Sequence, residues 1–243
     1  MAVEDMEVVA RKTHYVAGLV DGHAASGDPS PYTARGILEG IKAAVKYRLG
    51  RSSIKGTRVA VQGVGNVGLN LCRLLRREGA ILVVANIDEK AVNRAVTEAN
   101  ATAVPLDEIY EQAVDVFAPC ALGAVLRDET IPRLKATIVA GGANNQLAEP
   151  RHAAMLTARD ILYAPDYIIN AGGIINVASE ITGDYDQAHV LEHVDRIGNT
   201  LEGIFELASE RGETTAEIAD SIARAKIDAT RKASVSRDAS NVA

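Results

Sequence analysis

Residues 57–88 constrain the fold of this chain more than any other stretch. Residues 58–62 (RVAVQ) have an apolar centre, Val59-Ala60-Val61, and Gly63-Val64-Gly65-Asn66-Val67-Gly68 follows at once. Residues 66–78 then carry Val67, Leu71, Leu74 and Leu75 at helical spacing. Gly79 closes that helix, and residues 80–87 (AILVVANI) read as a second buried-type strand. Each glycine of the G-x-G-x-x-G turn has a physical task. Gly63 allows the tight turn out of the strand, Gly65 lets a pyrophosphate approach the backbone, and Gly68 lets the helix pack near the strand. The N–H groups and dipole at the helix start attract phosphate. The unit therefore predicts dinucleotide binding. A glycine turn for another nucleotide-like ligand, such as a methyl donor, is the other reading of the same residues.

A ribose-binding acid is expected at the end of the second strand. Here the strand ends Ala85-Asn86-Ile87-Asp88, and Asp88 lies 20 residues beyond Gly68. Asn86, two residues earlier, shares its strand face. Either side chain can meet the ribose. Asparagine can still bond a hydroxyl, but it lacks the charge that repels a 2′-phosphate. The cofactor expectation is thus NAD, with NADP open.

The rest of the chain alternates strands and helices. Residues 3–13 read as a short amphipathic helix, followed by a loop of small residues from Gly18 to Pro31. Ser30 is placed to cap, and Pro31 to begin, a helix running to Leu49 with Gly50 at its end. After Asp88 the pattern predicts a helix over 89–100, a short strand over 102–104 and a short helix over 106–112. Strands follow over 114–119, 136–140 and 161–164, with helical stretches between them, each strand ending in small or amide residues. Strands alternating with helices predict an α/β chain: a Rossmann-type, doubly wound, mostly parallel sheet with flanking N- and C-terminal helices. In such sheets ligands bind at the carboxyl ends of the strands. Beyond Asn170-Ala171-Gly172-Gly173 the chain reads as helical through Thr182, then over 186–211 as one apolar-faced helix ending at Gly212. Thr214-Thr215-Ala216-Glu217 is a capping box for a final helix, and the tail after Lys232 is expected to be disordered.

Composition excludes several classes. A formal charge of −6 leaves no basic excess for nucleic acid. No apolar run approaches the ~18 residues that span a bilayer. The start, MAVEDMEVVARK, is not a signal peptide, and Cys72 and Cys120 read as reduced core residues, so the expected location is cytoplasmic.

Five motifs in order resemble the glutamate/leucine/phenylalanine/valine dehydrogenase family, and within it the leucine/phenylalanine/valine branch. They are Ser26-Gly27-Asp28-Pro29-Ser30-Pro31 with Thr33, the glycine turn, and Ala118-Pro119-Cys120-Ala121-Leu122-Gly123-Ala124. The others are Gly142-Ala143-Asn144-Asn145-Gln146-Leu147, and Tyr163-Ala164-Pro165-Asp166-Tyr167 through Asn170-Ala171-Gly172-Gly173. The resemblance covers roughly residues 4–228. It implies an oxidoreductase that reversibly deaminates an apolar L-amino acid to a 2-oxo acid and ammonia with NAD. It assigns Asp28 as the catalytic carboxylate, which on residue type alone is equally a turn aspartate. It assigns Thr33 to the nicotinamide amide and Asn144 and Asn145 to nicotinamide and substrate. Ala121 and Leu122 are assigned near the cofactor ribose. Gly63, Gly65, Asn66, Val67 and Gly68 form the cofactor turn, and the ribose-acid position falls on Asn86. Ile174 and Val177 are assigned to the substrate side-chain pocket, although three-residue spacing on a helix fits core packing as well.

One family feature is missing from the sequence. The family's G-G-G-K segment supplies a substrate-binding lysine and a second lysine of lowered pKa, and no such segment occurs here. Lys12, Lys42, Lys46 and Lys55 stand in other contexts, and desolvated lysine is what activates this chemistry. The expectation is a chain lacking most of its catalytic domain, with residues 1–50 a remnant and connecting helix. Residues 51–170 would be the dinucleotide-binding domain, 171–231 C-terminal helices and 232–243 the tail. The alternative is an inactive or regulatory dinucleotide-binding module. His189 and His193 share a helix face without a third ligand, so no metal site is expected. The apolar faces of the first helix and of residues 186–211 lead to an expected homo-oligomer.

Overall fold

The computed structural model of the chain describes residues 3–13, 16, 27–182 and 185–240. The small-residue loop over 17–26, with His14 and His23, lies outside the described residues. The elements are α1 (Val3–Ala10), α2 (Ser30–Leu49), β1 (Arg58–Gln62), α3 (Asn66–Arg77), β2 (Ile81–Ala85) and α4 (Glu89–Ala99). They continue with β3 (Thr102–Ala103), β4 (Val116–Pro119), β5 (Ile138–Val139), α5 (Arg151–Ala158), β6 (Leu162–Tyr163) and α6 (Asp166–Ile169). The chain closes with α7 (Gly172–Thr182), α8 (Gln187–Asp195), α9 (Ile197–Arg211) and α10 (Thr215–Ser240).

The six strands form one sheet in the order β3-β2-β1-β4-β5-β6, every pairing parallel. The order reverses between β1 and β4, which opens a crevice at their carboxyl ends. The expected sheet is therefore present. Alternation along the strands divides the core in two. Val59, Val61, Leu82, Val84, Val116 and Ala118 lie in the core under α2 and α3, and α8 and α9 pack on α2 beyond them. Ala60, Val83, Phe117 and Val139 face the opposite layer, built on Ile109, Ile131, Leu134 and Leu156. That second layer is thinner than the pattern predicts. The helix expected over 106–112 is a single 3₁₀ turn, Ile109–Glu111, closed by Glu111 N–H to the Glu108 carbonyl at 3.1 Å. Between β4 and β5 the only helical turn described is Ile131–Arg133, with Pro132 in its first positions. Proline and the shortness of both windows favour i→i+3 turns over a nucleated α-helix.

Three further expectations need correction. Ser30 does not cap α2: it is the first helical residue, and its own N–H is capped by Asp28 Oδ1 at 2.9 Å. Residues 186–211 are two helices rather than one, meeting at Arg196, which ends α8 and begins α9. Asp195 at the break is held by Arg35 of α2 at 2.6 and 2.8 Å, so the joint is tied to α2. The apolar face of this pair is not left for a partner. Val190, Val194, Ile197, Leu201 and Phe205 are buried in the same core as Ile37 and Ile41 of α2. That face gives no support for an oligomer, although Val8 and Val9 of α1 remain exposed. With no Gly or Pro beyond Gly212, the backbone continues as α10 to Ser240.

Other local readings hold. Gly50 and Gly212 end their helices at φ 64° and 67°, each N–H bonding back to a helix carbonyl. In the capping box Glu217 accepts from both the N–H and the hydroxyl of Thr214 at 2.8 Å. Those bonds hold the Glu217 carboxyl below the usual range. No helix of the described residues is long and apolar enough to cross a membrane.

Candidate functional site

The glycine turn sits at the point where the strand order reverses. Gly63 has φ 93°, and a Cβ there would lie 2.7 Å from the backbone nitrogen of Ala121 at the end of β4. Its N–H extends the β1–β2 ladder to the Ala85 carbonyl at 2.8 Å. A Cβ on Gly68 would lie 2.0 Å from the Gly63 carbonyl oxygen. Both glycines are thus demanded by the chain's own packing. Gly65 is different: its φ is −69°, and a Cβ there meets nothing within 4 Å. It precedes α3, which has no side-chain cap and no acidic residue in its first turn. Asn66 is exposed there, and Val67 leans toward Gly142.

The two candidate ribose residues have different engagements. Asp88 caps α4, its Oδ1 accepting the Lys90 N–H at 2.9 Å. Asn86 follows β2 half-buried, and its carboxamide has no hydrogen-bond partner among the described residues. Across the crevice Ala121 packs on Gly63, and Leu122 is 83% exposed.

The third wall joins α2, the loop after β5, and α7. Asp28 is exposed, with Oδ1 committed to Ser30 and Oδ2 without a partner among the described residues. Thr33 donates its hydroxyl to the Pro29 carbonyl at 3.1 Å and lies against Gly173. A Cβ on Gly172 would meet the Tyr32 carbonyl oxygen at 2.1 Å, so α7 starts in close contact with α2. Asn144 and Asn145 are exposed, and Asn145 has φ 51°, with its carbonyl accepting the Ala124 N–H at 2.7 Å. On α7, Ile174 is 65% exposed and Val177 half-buried.

Three supporting residues escaped the sequence reading. Gln146 is fully buried and donates to the Gly141 and Ala143 carbonyls at 2.7 and 3.0 Å. Asp166 accepts the Gln146 N–H at 2.8 Å. Asn170 donates to Asn144 at 2.7 Å. Their motifs were visible in sequence, but nothing in local spacing tells which residues meet across 20 or more positions.

Lys42 is engaged at the far end of α2. Burial alone would lower its ammonium, but Glu78 and Glu39, at 3.0 and 3.1 Å, hold it above its ordinary value. Lys46 pairs with Glu202 at 2.9 Å. The rings of His189 and His193 lie 4.3 Å apart, tilted by 50°, and no group of three metal-ligating side chains occurs among the described residues. A cavity of 490 Å³ lies on the other side of Asn145, lined by Tyr163, Asp166, Tyr167, Glu217 and Asp220, and does not reach the glycine turn.

Both cysteines are free. Burial pushes the Cys72 thiol far above its ordinary range and Cys120 up to about 11, although the Gly142 backbone draws Cys120 back somewhat. Both are thiols at pH 8. A disulfide-exchange reagent added at that pH should titrate neither quickly, and both on denaturation. Fast labelling of the folded chain would show that these segments open.

The family model for glutamate/leucine/phenylalanine/valine dehydrogenase matches residues 26–92 and 84–237. The chain belongs to that family. Among its relatives, the leucine dehydrogenase of Geobacillus stearothermophilus is 46% identical over 231 residues, 95% of this chain and 63% of that protein. The L-tryptophan dehydrogenase of Nostoc punctiforme is 44% identical over 230 residues, 94% of this chain and 64% of that protein. The crystal structure of the latter superposes with a TM-score of 0.79 at 47% identity, over 82% of this chain and 61% of its own. The chain thus spans somewhat under two thirds of the length of these relatives. The family works with a nicotinamide dinucleotide.

Proposed function

We propose that this chain carries the dinucleotide-binding half of an amino-acid dehydrogenase, with residues 51–170 as the cofactor unit. The reaction is L-amino acid + NAD⁺ + H₂O ⇌ 2-oxo acid + NH₄⁺ + NADH + H⁺. The observation that carries this reading is the contrast within the glycine turn. Gly63 and Gly68 answer to internal packing, whereas only a ligand close to the backbone gives Gly65 a reason to lack a side chain. The nicotinamide ring supplies the two-electron hydride acceptor. The residues of this chain bind and orient. The first turn of α3 takes the pyrophosphate, Asn86 bonds the adenosine ribose, and Ala121 and Leu122 pack beside it. Thr33 and Asn144 hold the nicotinamide end. Asp28, its orientation set by the Ser30 N–H, offers its second oxygen to the substrate amino group and its proton. Asn145 lies beside the substrate.

The apolar Ile174, exposed, and Val177, half-buried, suit an aliphatic or aromatic side chain, because a side-chain carboxylate would need a cation there. Relatives of similar identity are named for leucine and for tryptophan, so overall similarity does not choose between them. The two free cysteines suit a reducing cytoplasm.

Titration calorimetry tests the cofactor reading. NADH should bind with a Kd of roughly 1–100 µM, an ordinary range for such sites. NADPH should bind comparably, because Asn86 presents no negative charge. Asn86→Asp should then weaken NADPH by about tenfold or more while leaving NADH within about twofold. An unchanged preference would move the ribose contact to Asp88. Binding of a methyl donor without binding of NADH would overturn the proposal. Turnover of leucine, valine or phenylalanine by the chain alone would show that the lysines of the family are dispensable.

A further inference from the structure

We propose that Asn170 is a positioning residue that turns the amino end of the Asn144 carboxamide toward the cleft, so that Asn144 donates to an oxygen on the nicotinamide half of the dinucleotide. The inference rests on the dinucleotide reading above and assigns the polarity of one of its contacts.

An asparagine side chain is an acceptor at one end and a double donor at the other, and its shape alone does not distinguish them. A backbone carbonyl resolves the choice because it only accepts. Asn170 Nδ2 lies 3.4 Å from the Gly142 carbonyl oxygen and 2.7 Å from Asn144 Oδ1. With Asn170 reversed, its oxygen would face the Gly142 oxygen. The amino end therefore faces both groups, and the atom of Asn144 that meets it has to be Oδ1. Nδ2 of Asn144 is left pointing away from Asn170, on an exposed residue beyond the carboxyl end of β5.

The two segments are held in register. Asn170 ends α6, its own N–H bonding the Asp166 carbonyl at 3.0 Å. The Asp166 carboxylate takes the N–H groups of Gln146 and Tyr167 at 2.8 and 2.7 Å. Buried Gln146 clamps the carbonyls of Gly141 and Ala143 from within the same loop. Thr33 complements this polarity. Its hydroxyl proton is given to Pro29, so only lone pairs remain to meet a ligand. A primary carboxamide requires one donor for its oxygen and one acceptor for its amino group, and Asn144 and Thr33 supply one of each.

The test is a double-mutant cycle read by NADH binding, with ADP as the probe that lacks nicotinamide riboside. Asn170→Asp keeps the bond to Asn144 with the roles reversed, which turns the Asn144 oxygen to the cleft. It should weaken NADH about tenfold, more than the two- to threefold expected for Asn170→Ala, which only releases Asn144. A merely structural role predicts the opposite order, since aspartate is the better shape match. In an Asn144→Ala background both Asn170 substitutions should leave NADH binding within about twofold, and ADP binding should not change in any variant. Wild-type affinity in Asn170→Asp overturns the proposal. So does the same loss in the Asn144→Ala background, which would mark a charge effect. Absence of NADH binding by the unsubstituted chain overturns the dinucleotide reading and this proposal together. If Asn170→Asp does not fold, asparagine-labelled unsubstituted protein decides by NMR. The side-chain ¹⁵N–¹H₂ resonances of Asn144 should shift on NADH addition, and an unmoved Asn144 pair overturns the proposal.

Discussion

Alanine at Gly65 should leave the melting temperature unchanged or raise it by a few degrees, and weaken NADH binding by at least about thirtyfold, roughly 2 kcal/mol or more. Its φ of −69° suits any L-residue, and the added Cβ meets no atom of the chain within 4 Å. Reduced freedom of the unfolded chain even favours the alanine variant by about 0.4–1 kcal/mol. In the proposed function the loss falls on the ligand, because the methyl group would occupy the side from which a pyrophosphate reaches the N–H groups of α3. Alanine at Gly68 should behave in the opposite way. Its Cβ would lie 2.0 Å from the Gly63 carbonyl oxygen, a backbone atom that cannot swing aside. Relief requires α3 to back away from β1, at a cost of about 3 kcal/mol or more, and a melting point lower by roughly 10 °C. Thermal melting and NADH titration of the two variants separate the roles. Gly65→Ala binding as the unsubstituted chain does would remove the observation that carries the proposed function. Gly68→Ala melting normally would mean that α3 and β1 are not packed as described.

Phe205→Ala should destabilise the chain by about 3–5 kcal/mol, with a melting point lower by roughly 10 °C. Phe205 is 1% exposed, its ring lies 5.4 Å from that of Tyr47, and the Tyr47 hydroxyl bonds its carbonyl at 3.1 Å. Truncation leaves a hole between α2 and α9 beside Tyr47, in a core whose other members, Ala44 and Leu201 among them, are already buried. This result tests where the face of α9 belongs. If it were a surface awaiting another subunit, the same substitution in the isolated chain would change stability by about 0.5 kcal/mol or less. Equilibrium denaturation, with the slope compared between variants, distinguishes the two.

The strands and their closing residues were legible because each is marked locally. Residues 58–62 carry buried side chains on both faces, and Gly50 and Gly212 occupy positions that favour left-handed backbone. The capping box at Thr214–Glu217 is likewise a three-residue relation. The errors arose where a distant partner decided the outcome. The break at Arg196 answers to Arg35, 160 residues from Asp195, and no periodicity within 186–211 announces it. Ser30 is a suitable cap by type, yet Asp28 reaches the same turn from two residues earlier. For the glycine turn, sequence named the three glycines but could not tell which the chain's own packing demands, Gly63 and Gly68 but not Gly65.

The sequence by itself determined the α/β architecture, the place of the glycine turn and the identity of the residues around it, since these follow from short-range pattern and residue type. Tertiary structure decided which of those residues are occupied: Asp88 is spent on capping α4 while Asn86 is not, and Asn144 accepts a bond from Asn170. The reason is directional. A hydrogen bond fixes which atom of a side chain is used and which is left over, and that choice depends on groups brought close only when the chain folds.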